Sequence, residues 1–62
     1  MKKESEIKII KTVIADVLRA YFISAGMLDV ALEWNRKCKR CYAGLSDEET
    51  SVYWEILWLL RK

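Results

Sequence analysis

Cys38-Lys-Arg-Cys41 is the one spacing in this 62-residue chain that could hold a metal or a redox couple. Arg36, Lys37, Lys39 and Arg40 surround it with four positive charges. Zinc takes four ligands, and the chain has no histidine and only these two cysteines. A metal site would therefore have to be shared between two chains, each contributing Cys38 and Cys41, or draw on carboxylates. Basic neighbours favour the thiolate and so would suit a redox pair as well. The simpler expectation is two unligated thiols one helical turn apart, with no metal and no cofactor. No nucleophile–base pairing is spaced for catalysis, and Gly26 and Gly44 form no phosphate loop. The expectation is a non-enzymatic protein.

The basic run has two further readings. Arg36, Lys37, Lys39 and Arg40 could meet phosphates, which would make the chain a small DNA-binding transcriptional regulator. Alternatively they complement the C-terminal dipole of a helix and pair with Asp47, Glu48 and Glu49. The net charge is only +2, from eleven basic and nine acidic residues, so bulk attraction to nucleic acid is not expected. A helix-turn-helix reader turning at Gly26 would carry Phe22 where a small residue is needed. It would also open its second helix with Leu28, Asp29 and Val30 in place of base-reading polar groups.

Tryptophan carries the other signal. Trp34, Trp54 and Trp58 bury much area with little entropy lost, the property that enriches this residue in interface hot spots. From Val52 to Leu60 eight of nine residues are apolar or aromatic. Projected at 100° per residue, Val52, Leu59, Ile56, Leu60, Tyr53 and Leu57 form an arc roughly 160° wide, enough to dock the helix on its own chain. Trp54 and Trp58 fall outside that arc with Arg61 and Lys62 beside them. Trp34, Trp54, Trp58 and Arg61 are thus the expected partner or dimer interface.

These residues need helices to position them. The chain has no proline and two glycines, and its composition favours helix. Met1 to Glu4 is expected to fray, and Ser5 to cap a first helix. The core seam of that helix is expected at Ile7, Ile10, Ile14, Val17 and Tyr21, spaced alternately three and four apart; Lys8, Lys11 and Asp16 are expected on its solvated face. The same spacing continues through Ser24, Leu28, Ala31, Asn35, Cys38 and Tyr42. That permits one helix of almost forty residues, on the order of 58 Å long. The middle of the chain is apolar almost all round, and a turn at Gly26 lets its two halves cover each other, so three helices are favoured. Gly44 suits a left-handed helix end, and Ser46-Asp-Glu-Glu49 reads as a capping box opening the third helix.

Gly26, Asp29, Ala31, Leu32, Glu33, Trp34 and Cys38 resemble the turn and second helix of a tetratricopeptide repeat. Asn35 stands where that pattern has a large aromatic, and its closing proline is absent. The resemblance implies a helical hairpin at Gly26; a single unit does not make a solenoid.

The expected fold is an all-α three-helix bundle in one domain, residues 1–62, with helices at about 5–24, 27–42 and 46–61. Sixty-two residues lie at the lower edge of what a core can hold alone, so a homodimer is expected. No export signal or membrane span is read, which places the chain in a reducing cytoplasm. The expected function is protein–protein interaction: an accessory or regulatory protein that binds and modulates a host or cellular partner, by analogy with phage and mobile-element accessory proteins.

Overall fold

The computed structural model describes residues 3–61. Three helices follow one another: α1 (Lys3–Ser24), α2 (Leu28–Ala43) and α3 (Asp47–Leu60). These match the sequence-derived elements to within two residues at each end. Lys3 and Glu4 are helical, which leaves Ser5 inside α1 and not at its cap. The expected fraying of Met1 and Lys2 and the dipole role of Lys62 lie outside the described residues.

Gly26 decides the fork between one long helix and a hairpin. Its φ is +77°, the left-handed region that glycine enters without a Cβ clash. The Met27 amide donates to the Phe22 carbonyl at 2.9 Å and the Gly26 amide to the Ile23 carbonyl at 3.1 Å. This pair of bonds closes α1 as a Schellman motif. Gly44, by contrast, takes right-handed dihedrals, φ −85° and ψ −2°, so the left-handed end expected there is absent. It ends α2 by donating back to carbonyls of the last turn.

The start of α3 follows its sequence. Ser46 Oγ accepts from the Glu49 amide at 3.3 Å, and Glu49 Oε1 accepts from the Ser46 amide at 2.8 Å. The Ser46 amide, with help from the Ser5 hydroxyl and the Lys8 charge, holds the Glu49 carboxyl below its ordinary range.

α1 is the middle element. It packs along much of α2 and over a shorter stretch of α3, while α2 and α3 scarcely meet. The chain extends 36 × 25 × 16 Å along its principal axes, the longest of them set by the 22 residues of α1 at about 1.5 Å each. Its radius of gyration is 11.9 Å, against about 10.6 Å for a compact chain of this length. Three helices of this size enclose little interior. The core consists of Ile9 and Val13 from α1 against Tyr53 and Leu57 from α3, with Leu45, Val52 and Ile56 at its edge. Ala15, Ala31 and Cys38 are buried as well.

This core uses the other side of α1 from the one expected. Ile7, Ile10, Ile14, Val17 and Tyr21 are all exposed, whereas Ile9, Thr12, Val13 and Asp16 are buried. Thr12 and Asp16 can lie inside because their polar groups find partners. Thr12 Oγ1 donates to the Lys8 carbonyl at 2.8 Å, and Asp16 Oδ1 accepts from Arg19 Nη2 at 2.7 Å. On α3, Leu59 and Leu60 are exposed in place of joining the core arc. Among the described residues no helix is long and apolar enough to cross a membrane.

Candidate functional site

The α3 edge carries Trp54 and Trp58 one turn apart, and with Leu59 and the flank of Glu55 they line a shallow apolar depression. Trp54 is held in place. Its Nε1 donates to the Tyr42 hydroxyl at 3.4 Å. Its ring also meets those of Tyr53 and Tyr42 edge-on, at centroid separations of 5.3 and 6.2 Å. Edge-to-face pairs at such distances are favourable and fix ring orientation. Trp58 has no such restraint among the described residues and is 70% exposed. The edge therefore presents a rigid ring next to a free one.

Trp34 stands apart from this pair. It lines a groove between α1 and α2 with Lys11, Ile14, Lys37, Arg40 and Cys41. Lys37 Nζ sits 4.6 Å from the centroid of the Trp34 ring, within cation–π range. Arg36 and Lys39 are also exposed. The expected pairing of the basic run with Asp47, Glu48 and Glu49 does not form. Among the described residues, the ion pairs are those that Asp16 makes with Arg19 and Arg61. Glu49 is turned instead into its own capping box.

Arg61 is reached by a different route from the one its sequence position suggested. Its Nη2 points back to Asp16 Oδ2 at 3.8 Å, although 67% of the side chain stays exposed. Arg61 thus links the end of α3 to a buried polar node that sequence reasoning missed. Cys38 Sγ lies 4.0 Å from Asp16 Oδ1, and the Tyr53 phenol is part of the same cluster. Burial, then the Asp16 charge, pushes the Tyr53 hydroxyl up to about 12. The same two causes, in the same order, push the Cys38 thiol up, which reverses the lowering expected from its basic neighbours. Those neighbours project to solvent while the thiol faces inward toward a carboxylate. The hydrogen bond to Asp16 raises the Arg19 guanidinium further. One signal for this node was present in the sequence: Ile9 and Val13, four apart, make an apolar pair in line with Asp16. Threonine and aspartate on that face hid it.

Cys38 is buried and Cys41 half-buried, and both are free thiols. Among the described residues no three His, Cys, Asp or Glu side chains group to hold a metal ion. A site shared between chains would have to reach the buried Cys38 thiol.

No protein-family model, curated protein or solved structure matches this chain.

Proposed function

We propose that this chain is a non-enzymatic interaction module that self-associates as a homodimer and binds and modulates a protein partner through the Trp54–Trp58 edge. The observation that carries this reading is a large exposed surface with big apolar side chains on it. A compact chain of 7.3 kDa is expected to expose about 4200 Å². This one exposes 4960 Å², and the difference of about 800 Å² is what each side of a standard protein interface buries. Among the described residues fourteen large hydrophobics are exposed; Trp54, Trp58 and Leu59 line one depression, and apolar patches of this kind mark contact sites. The non-enzymatic reading is supported by the absence of histidine. The buried thiol and phenol are also shifted toward their unreactive protonated forms.

Light scattering after size exclusion should give twice the 7.3 kDa chain mass. Trp54→Ala with Trp58→Ala should abolish partner capture from a lysate while leaving helicity intact, because both rings sit on the surface. Loss of helicity in that variant would make the pair structural and remove the partner-binding edge.

The second reading is nucleic-acid binding through Arg36, Lys37, Lys39 and Arg40. It is favoured by their exposure without an acidic partner among the described residues. Duplex DNA binding that falls steeply with salt and vanishes on charge reversal of these four would favour it over the first.

A further inference from the structure

The exposed stripe on α1 is more regular than any buried face of the molecule. Ile7, Ile10, Ile14, Val17 and Tyr21 recur at alternating three- and four-residue steps, the spacing that keeps apolar side chains on one helix–helix seam. At 100° per residue the stripe is roughly 80° wide and centred roughly 140° from the buried Ile9–Asp16 face. Its outward side is left uncovered within the chain, although Tyr21 meets the Phe22 ring edge-on. Its margins continue into both interhelical grooves: Ile10 lines one with Val52 and Ile56 of α3, and Ile14 lines the other with Trp34 of α2.

We infer that this stripe is the homodimer seam, with α1 of one chain packed parallel to α1 of a second copy, leaving the Trp54–Trp58 edge free for a different protein. This rests on the self-association proposed above and names the face that mediates it. Three observations select a second copy as the occupant. The seam is self-complementary, since each apolar step on one helix meets the same step on its twofold mate. Ile7, Ile10, Ile14, Val17 and Tyr21 remain 45–62% exposed, and the same stripe on a second copy would cover all five at once.

The flanking charges provide the third argument and also set the direction. Glu6 borders the seam on the α3 side and Lys11 on the α2 side. In a parallel pair the Glu6 flank of one chain faces the Lys11 flank of the other, five residues on, twice by symmetry. An antiparallel pair that keeps the seam in register, Ile10 against Ile14 or Ile14 against Val17, would place Glu6 near Leu18 or Ala25 and Lys11 near Val13 or Ala20, with no opposite charge. Ile10 and Val17 at the second seam position would admit three or four strands in a free coiled coil. Here α2 and α3 flank α1 and leave room for one partner helix.

The test compares oligomeric mass and dissociation constant across variants, by analytical ultracentrifugation, with far-UV circular dichroism as the fold control. Ile10→Gln with Ile14→Gln should keep its helicity and weaken the dimer by roughly a hundredfold or more, since four large apolar side chains leave the seam. Trp54→Ala with Trp58→Ala should remain dimeric. Glu6→Lys and Lys11→Glu should each weaken association roughly tenfold, and the double reversal should restore it. A wild-type chain that is monomeric at high concentration would overturn self-association itself. A wild-type dimer that survives the Ile10/Ile14 change, or is lost with the tryptophan pair, would overturn only the α1 seam. Failure of the double reversal to restore binding would overturn the parallel arrangement. Should the Ile10/Ile14 variant unfold, Ile7→Gln with Val17→Gln provides the control. If it also unfolds, the stripe belongs to the core and the inference falls.

Discussion

Ile9 and Ile10 are adjacent residues of the same type in the same helix, and only their burial differs: Ile9 is 2% exposed and Ile10 53%. Each is replaced by alanine. At Ile9 the change removes three carbons from the core, about 2.4 kcal/mol at ~0.8 kcal/mol each. The cavity left against Tyr53 and Leu57 raises the cost to about 3–4 kcal/mol. At Ile10 about half the transfer term is already lost to solvent, and alanine gains a few tenths of a kcal/mol in helix propensity. The expected cost within one chain is about 1 kcal/mol or less. A domain this small has about 3–5 kcal/mol in total, so Ile9→Ala should be largely unfolded and Ile10→Ala folded. The assay is urea unfolding followed by far-UV circular dichroism over a wide range of protein concentrations. With a slope of ~1 kcal/mol per molar urea, Ile9→Ala should lower the midpoint by about 3 M or abolish the transition at every concentration. Ile10→Ala should lower it by less than about 1 M in dilute protein and lose stability relative to wild type as concentration rises, because the seam it weakens lies between chains. Equal losses at low concentration would refute the burial assignment of α1 and, with it, the exposed seam.

Tyr53 should titrate near 12 in an alkaline absorbance titration; Tyr53→Phe should remove that step, and a Tyr53 step near its ordinary value would contradict its burial. Its folded value lies above the unfolded value of about 10. The stability it contributes is therefore intact below about pH 10 and is lost as pH rises toward 12, so helicity should fall across that window; the raised Cys38 thiol works in the same direction and begins the loss earlier. Gly26→Ala should cost about 1–2 kcal/mol, measured by thermal or urea unfolding. The space around a new Cβ is empty and the penalty is that of the positive φ alone, so Gly26→Asn should cost less. A thiol reagent should modify Cys41 well before Cys38, read by mass spectrometry of digested protein; equal rates would mean that the Asp16 node opens readily.

The sequence by itself placed three helices to within two residues at each end and read the α3 capping box, but not the start of α1 or the right-handed end at Gly44. Ser46 and Glu49 cap locally, within four residues, and Gly26 supplies a backbone region closed to its neighbours, so neither depends on what packs nearby. The three-helix count and the division of α3 into a docked side and a tryptophan edge were legible for the same reason. Which face of α1 lies inside was not legible. That helix carries two apolar faces, and periodicity favours the Ile7–Tyr21 stripe because it is the longer and purer of the two. Tertiary structure decided for the shorter one. Thr12 satisfies itself on the Lys8 carbonyl, and Asp16 finds Arg19 within the helix and Arg61 from the end of α3. With those polar groups partnered, Ile9 and Val13 can close on Tyr53 and Leu57. The fate of the cysteine pair was decided in the same place. Spacing put Cys38 among four cations along the chain, but the α1–α2 packing turned its sulfur toward a carboxylate, and through-space neighbours govern a thiol's protonation.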